Sequence, residues 1–185
     1  MKDAAPQTIY LADYRPPAFL VDAVHLTFRL APSATRVVSR IAFRPNPDSD
    51  DSDFFLHGED LKLIKAKVDG KPVSPEPVAG GLRCLVPPRP FIWEAEVEID
   101  PASNTALEGL YMSNGMYCTQ CEAEGFRKIT YYPDRPDVMA PFTVRIEGSE
   151  TVLLSNGNPT EKGDGFAEWH DPWPKPAYLF ALVAG

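Results

Sequence analysis

The feature of this sequence that most restricts its fold is an alternation of apolar and polar residues with a period of two. Apolar side chains occupy every second position in residues 24–30 and again in residues 91–99. Successive side chains of a strand point to opposite faces, so this pattern places one face on a core and the other in water. Weaker patterns of the same kind predict further strands at residues 36–43, 54–57, 61–68, 82–86, 109–119, 142–147, 151–154, 166–170 and 178–183.

Prolines and turn signals divide these segments. The chain has 20 prolines among 185 residues, and proline is excluded from helix interiors and from central strands. Pro141 therefore predicts that the strand at 142–147 begins only after it. No window of ten residues has a helical period, and only residues 122–128 could form a short helical stretch. The sequence thus predicts an all-β fold, a sandwich of antiparallel sheets formed by one domain over residues 1–185.

Charge and cysteine content restrict the class of partner. The formal net charge of −8 repels nucleic acid and anionic lipid, so neither is expected as a partner. No apolar stretch approaches the length of a membrane span, and the polar start of the chain lacks the apolar core of a signal peptide. Three cysteines give no even disulfide framework, which suits a reducing compartment. We therefore expect a cytoplasmic location.

No complete catalytic site can be assembled from these residues. The three histidines, His25, His57 and His170, lie far apart in the sequence and lack the His-Glu-x-x-His spacing of a zinc hydrolase. Cys118 and Cys121 have Cys-x-x-Cys spacing, but there is no second ligand pair for a structural zinc. We interpret these two thiols and that of Cys84 as free and partly buried, and predict no metal site in this chain.

Gln120 and Glu122 form the candidate binding site. They are two positions apart, so in an extended chain both side chains point to the same side. A carboxylate beside an amide oxygen can accept the hydrogens of a protonated amine. Such pairs are common, however, and on chemistry alone an ordinary polar strand end is the better explanation of this one.

Longer motifs add a resemblance to a known family. Residues 118–138, with the sequence CTQCEAEGFRKITYYPDRPDV, resemble the bacterial aminopeptidase N family. Weaker similarity to that family extends over most of the chain, at residues 13–17, 24–28, 56–61, 69–70, 107–111, 153–158 and 172–185. The segment 118–138 is specific, whereas each of the other blocks alone would be weak.

The resemblance implies a saddle-shaped N-terminal β-domain of a multidomain zinc aminopeptidase, which removes N-terminal amino acids from peptides. In that family the Gln-x-Glu motif binds the free α-amino group of the substrate, and the matching residues here are Gln120 and Glu122. The zinc ligands and the Gly-Ala-Met-Glu-Asn motif are absent, so zinc would be held by a missing catalytic domain of the same polypeptide. We expect the chain to be cut at that domain boundary, to be inactive alone, and to have a flexible leader at residues 1–12.

A second hypothesis is a stand-alone β-sandwich module that binds carbohydrate or protein through exposed aromatics among Trp93, Trp169 and Trp173. Near the motif, Glu124 and Arg127 are expected to form a structural ion pair. Tyr131 and Tyr132 are expected to divide between core and surface.

Overall fold

The computed structural model describes residue 8 and residues 10–185. Most of the expected leader, residues 1–7 and 9, lies outside the described residues. Fifteen strands and three short 3-10 helices are present in the described part. The strands are β1 (Phe19–Arg29), β2 (Thr35–Pro45), β3 (Phe55–His57), β4 (Lys62–Val68), β5 (Lys71–Val73), β6 (Glu76–Val78), β7 (Gly81–Arg83), β8 (Phe91–Ile99), β9 (Gly109–Ser113), β10 (Met116–Gln120), β11 (Met139–Glu147), β12 (Leu153–Ser155), β13 (Asn158–Gly163), β14 (Phe166–Pro176) and β15 (Leu182–Ala184). The 3-10 helices are Leu11–Asp13, Phe126–Lys128 and Ala177–Leu179.

The strands form three sheets. The large sheet has eight strands in the order β13-β14-β11-β1-β2-β8-β4-β5. The small sheet has four, in the order β12-β15-β10-β9, and a third sheet has the order β3-β7-β6. The pairing is antiparallel throughout these sheets except between β1 and β11, which are parallel. The all-β class predicted from the sequence is therefore confirmed, with one parallel pair that the sequence did not indicate.

One face of the large sheet forms the core with both smaller sheets. Phe28, near the end of β1, stacks on Phe180 beside the small sheet at a centroid distance of 5.9 Å. Phe19, at the start of β1, meets Phe54 beside the third sheet at 5.3 Å. Burying each such side chain contributes about 1.5–3 kcal/mol. The two smaller sheets are thus fixed at opposite ends of one strand.

The other face of the large sheet, here called the charged face, carries an ion-pair network. Its members are Arg29, Arg36, Lys62, Lys65, Glu96, Glu98, Arg145 and Glu147. Most of these pairs join neighbouring strands, where opposite charges meet across the ladder, whereas Arg145 and Glu147 pair along β11. Arg36, for example, contacts Glu96 at 3.4 Å and Glu98 at 2.7 Å.

The final strand differs from the prediction. Residues 178–183 were expected to form one strand, but Ala177–Leu179 is a 3-10 helix and β15 is confined to Leu182–Ala184. The side chain of Asn156 explains the interruption. Its Nδ2 donates to the carbonyl of Leu179 at 3.1 Å, and its Oδ1 accepts from the amide of Ala181 at 2.7 Å. These backbone groups are therefore occupied by a side chain rather than by a neighbouring strand.

Pro141 lies inside its strand, so the prediction that the strand begins only after it is wrong. Strand β11 begins at Met139, and the register with β14 shifts between Ala140 and Phe142. A bulge leaves one residue unpaired, so a residue without an amide hydrogen is tolerated there.

The segment 109–119 is two strands, joined by a turn at Asn114 and Gly115 with positive φ. No pattern in the sequence indicated the strands β5, β6 and β13.

Candidate functional site

Gln120 is the last residue of β10, in the small sheet. It pairs with Gly109 of β9 and its side chain is exposed. The turn at Asn114 and Gly115 closes this hairpin, since both residues adopt the left-handed conformation that a tight antiparallel turn requires. The hairpin thus places Gln120 at the open end of a strand whose other edge pairs with β15.

The outer side of the small sheet is apolar, and Gln120 is on that side. Residues paired across a sheet share a face, and so do residues two apart along a strand. The pairings place Leu154, Val183, Cys118 and Tyr111 in one row across the sheet. We call this side the apolar face; its members are Tyr111, Met116, Cys118, Val152, Leu154 and Val183. Met116, Val152 and Leu154 are 42%, 46% and 44% exposed.

Glu122 lies on the turn that follows β10. The strand ends at Gln120, and the segment from Glu122 to Gly125 is a turn, closed by a hydrogen bond from the Gly125 amide to the Cys121 carbonyl at 2.9 Å. The premise that an extended chain runs through Glu122 is therefore wrong. Burial nevertheless alternates, because Cys121 is buried while Gln120 and Glu122 are exposed. The structure brings the two predicted site residues to the surface on either side of one buried residue.

Gly125 explains why the turn lies so close to the strand. A Cβ at this position would collide with the carbonyl oxygen of Gln120 and would approach Cys121 Cα at 3.0 Å. Only glycine permits this approach of two backbone segments. The turn that carries Glu122 is consequently packed directly on the end of β10.

Neither candidate side chain has a partner in the part of the chain that the structure describes. Over the residues that the structure describes, no side-chain hydrogen bond or ion pair involves Gln120 or Glu122. Glu124, in the same turn, is instead paired with Arg127 at 3.3 Å, which confirms the ion pair expected from the sequence. The acceptor oxygens of Gln120 and Glu122 are thus free to meet a cation from outside.

Arg127 connects this turn to a buried carboxylate that the sequence reasoning missed. The Asp134 side chain is only 3% exposed, and its Oδ2 accepts from the Arg127 backbone amide at 3.1 Å and from Nε at 3.0 Å. Arg127 Nη2 also donates to the Asp134 carbonyl at 3.2 Å. The Asp134 amide donates to His57 Nδ1, and burial followed by the charge of Arg127 lowers the pKa of His57.

Lys128 is a second buried charge beside the turn. Its Nζ donates to Glu59 at 2.7 Å and to Asp60 at 2.9 Å. Burial opposes the charged form, but the hydrogen bonds to Asp60 and Glu59 outweigh it and raise the pKa of Lys128. This ion pair ties the 3-10 helix after the turn to the loop that follows β3.

The three cysteines are free thiols; Cys84 and Cys118 are partly buried as predicted, whereas Cys121 is fully buried. Burial raises the pKa of Cys121 to about 12, so this thiol is unreactive at neutral pH. Burial also raises the pKa of Cys84. Cys118 lies on the apolar face. Within the described part of the chain, no three His, Cys, Asp or Glu residues lie together in a group that could hold a metal ion.

Other sequence expectations have mixed outcomes. Trp93 is fully buried and Trp169 is half-buried, so only Trp173, which is 77% exposed, could serve as a binding aromatic. Tyr132 is buried and Tyr131 is half-buried, as expected. The expected helical stretch at 122–128 is a turn followed by the 3-10 helix Phe126–Lys128. No helix of the described residues has the length and hydropathy needed to cross a membrane.

Comparisons with known proteins agree with the resemblance found in the sequence. A family profile described as "Peptidase M1 N-terminal domain" matches residues 91–179. The chain is 50% identical over 195 aligned positions to an aminopeptidase N of Caulobacter vibrioides, with all of this chain and 22% of that protein covered. It therefore spans about a fifth of the length of this relative.

Solved structures show the same fold. Legionella pneumophila aminopeptidase A, solved in complex with aspartic acid, matches with a TM-score of 0.87 at 33% identity over 95% of this chain and 22% of its own. An M1 zinc metallopeptidase from Deinococcus radiodurans bound to a Tyr-Ser-Ala substrate matches with a TM-score of 0.76 over 91% of this chain and 42% of its own. At 18% identity, the second likeness concerns the fold alone.

Proposed function

We propose that this chain, which belongs to the peptidase M1 family as an N-terminal domain, recognises the free α-amino group of peptide substrates in an aminopeptidase. The observation that carries the proposal is the placement of Gln120 and Glu122. Both side chains are exposed, neither has a partner among the described residues, and they flank a single buried residue at the end of β10. In an otherwise ion-paired region, such acceptors suit a cationic ligand.

The chemistry of recognition follows from these two groups. The Glu122 carboxylate supplies the charge that an ammonium group requires, and the Gln120 amide oxygen supplies a further acceptor. Holding the α-amino group in this way would fix the first peptide bond of the substrate relative to the catalytic groups, which is a positioning effect. A substrate with a blocked amine would leave the carboxylate without its partner and would be rejected.

The catalytic groups are proposed for the part of the enzyme outside this chain. Relatives of the same family are aminopeptidases and zinc metallopeptidases. The described residues do not fit a zinc site, because they contain no group of three potential ligands, and His57 Nδ1 is already engaged by the Asp134 amide. Zinc and the peptide hydrolysis therefore belong, in this proposal, to the remaining length of the polypeptide.

The apolar face is proposed as the surface on which that remainder docks. It exposes Met116, Val152 and Leu154 together, and contiguous apolar surface of this kind marks interaction sites. Gln120 lies at one end of the same face. A partner seated there would bring its catalytic groups next to the proposed amine site.

The stand-alone module has less support, since among the three tryptophans only Trp173 is well exposed. The cytoplasmic location stays a prediction.

The test uses the full-length enzyme with Glu122→Gln, which keeps the shape and removes the charge. A hydrogen bond to a charged group is worth about 1.5–3 kcal/mol. We therefore expect the ratio of kcat/KM for free over N-acetylated peptides to fall by about tenfold to hundredfold. The control is Glu161→Gln, an exposed carboxylate on β13 of the large sheet. An unchanged ratio in the Glu122 variant would refute the proposed function.

A further inference from the structure

Three carboxylates lie in or beneath the turn that carries Glu122, and Arg127 is the one cation among the described residues that forms an ion pair with any of them. Glu122 and Glu124 lie in the turn itself, and Asp134 lies beneath it. Arg127 contacts Glu124 through Nη1 and Asp134 through Nε. The guanidinium therefore joins an exposed carboxylate to a buried one and leaves Glu122 as the carboxylate of the turn without a partner.

The contacts of Arg127 are directional as well as electrostatic. Its backbone amide, Nε and Nη2 all donate to Asp134, and its carbonyl accepts from the amide of Glu59 at 3.0 Å. Because guanidinium is a planar fork with fixed donor directions, this set of bonds fixes the position of the side chain. Only 14% of the Arg127 side chain is exposed, so water competes weakly for these bonds.

The geometry also connects Arg127 to the strand end that carries Gln120. Arg127 is two residues after Gly125, whose amide closes the turn on Cys121. Gly125 in turn packs against the carbonyl of Gln120. A shift of Arg127 would therefore move the far end of the turn away from β10 and would change the separation of the Gln120 and Glu122 side chains.

From these contacts we infer that Arg127, tethered by Asp134, is a positioning residue for the amine-binding carboxylate. It acts in two ways, by anchoring the turn and by neutralising Glu124 so that the ammonium is drawn to Glu122 alone. This inference rests on the proposed function, because it assigns a role to Arg127 in the same site. Arg127 itself is not expected to touch the substrate.

The experiment measures how strongly the full-length enzyme prefers a substrate with a free amine over one that lacks it. Arg127→Lys keeps the charge and removes the fork, so Asp134 keeps a cation while the turn loses its fixed anchor. The readout is the ratio of kcat/KM for an amino-acid anilide over its des-amino analogue. We expect this ratio to fall about tenfold, because small displacements of a positioning contact have effects of this order or larger. A merely structural role would lower both values together and leave the ratio unchanged.

A double variant separates this inference from the proposed function. If Arg127 acts through Glu122, then Arg127→Lys adds little to the loss already caused by Glu122→Gln. The matched control is Arg135→Lys, a half-buried arginine that pairs with Asp137 at 2.6 Å and whose side chain, among the described residues, bonds to Asp137 and the Arg15 carbonyl and not to the turn. That control should leave the ratio as in the wild type.

Each outcome has a distinct meaning. If Glu122→Gln lowers the ratio and Arg127→Lys does not, the inference is overturned and the proposed function survives. If neither variant lowers it, both are overturned. Should Arg127→Lys fail to fold, Asp134→Asn provides the second test, since it keeps an acceptor for the Arg127 amide and removes the charge that holds the guanidinium. The same fall in the ratio is then expected, and its absence would overturn the inference.

Discussion

The outer sides of the large and small sheets cover the same core but are built in opposite ways. On the charged face, each carboxylate of the ion-pair network contacts two cations, as Glu96 does with Lys65 at 2.6 Å and Arg36 at 3.4 Å. On the apolar face, Val152 and Leu154 are nearly half exposed. Charges that are paired within the domain need no further partner and can remain in contact with water. A contiguous apolar surface, in contrast, is stabilised when another surface covers it and removes it from water. The difference supports the proposal that the apolar face, and not the charged face, is the docking surface.

The largest expected effect comes from a matched pair of valine substitutions. Val183 and Val38 are both half-buried on the outer side of a sheet, the first on the apolar face and the second on the charged face. Val183→Lys in the full-length enzyme would bury an unpaired ammonium beneath the docked remainder, at a cost of about 3–5 kcal/mol. We expect peptide hydrolysis to fall about hundredfold as docking is lost, whereas Val38→Lys should retain wild-type activity.

Equal activity of the two valine variants would contradict a difference in function between the two faces. Equal retention of activity would mean that the apolar face stays in water. Equal loss would mean that the large sheet is also covered. Circular dichroism of both variants of the 185-residue chain checks that either change leaves the domain folded.

A smaller effect is expected for thiol labelling, which measures directly whether the apolar face is covered in the full-length enzyme. Cys118 lies on the apolar face, so its rate of maleimide labelling should be about tenfold slower in the full-length enzyme than in the 185-residue chain, as an opening equilibrium would then limit access. Cys121 should stay unlabelled in both, since burial raises its pKa to about 12. A cysteine introduced by Val38→Cys is the matched control and should react equally in both forms. Equal rates for Cys118 would contradict docking at this face.

The smallest effect concerns the charged face and its pH dependence. The hydrogen bond from Lys65, assisted by Arg36, holds the pKa of Glu96 below its ordinary value. A carboxyl whose pKa is lower in the folded state stabilises the fold above its unfolded pKa of roughly 4.3, and this stability is lost as the pH falls through the folded pKa.

Glu96→Gln should therefore lower the free energy of unfolding of the 185-residue chain at pH 7 by less than about 1 kcal/mol. The loss should shrink toward pH 3, where the wild-type carboxyl is itself protonated. Leu154→Gln, which changes no charge, should have the same effect at both pH values. Urea unfolding at pH 7 and pH 3 measures the free energy of unfolding of each variant. If Glu96→Gln lowered this free energy equally at both pH values, the ion pairs of Glu96 would contribute nothing measurable to stability.

The sequence predicted those parts of the fold that depend on local pattern. Strands β1 and β8 follow from alternation because each has one buried and one solvated face. Strand β13 could not be found in this way, since all its residues are exposed and it is held by backbone pairing with β14. The error at residues 178–183 has a non-local cause, because the side chain of Asn156 occupies backbone groups more than twenty residues further along the chain.

For the site, motif resemblance pointed to Gln120 and Glu122 but not to their supports. Asp134 and Lys128 are charged residues, which are usually exposed, so no sequence pattern predicts their burial. Their roles depend on His57, the last residue of β3, and on Glu59 in the loop that follows it. Only the folded chain brings these segments together.

The single parallel pairing has a consequence for how the chain folds during synthesis. Strand β1 is central in the large sheet, but one of its two neighbours, β11, is more than a hundred residues away in sequence. Until residues 139–147 have left the ribosome, the backbone from Val24 to Arg29 has an open edge that can pair with other chains. Such distant contacts also slow folding, because a long loop must close first. The early strands are therefore expected to depend on chaperones until the later half of the domain emerges.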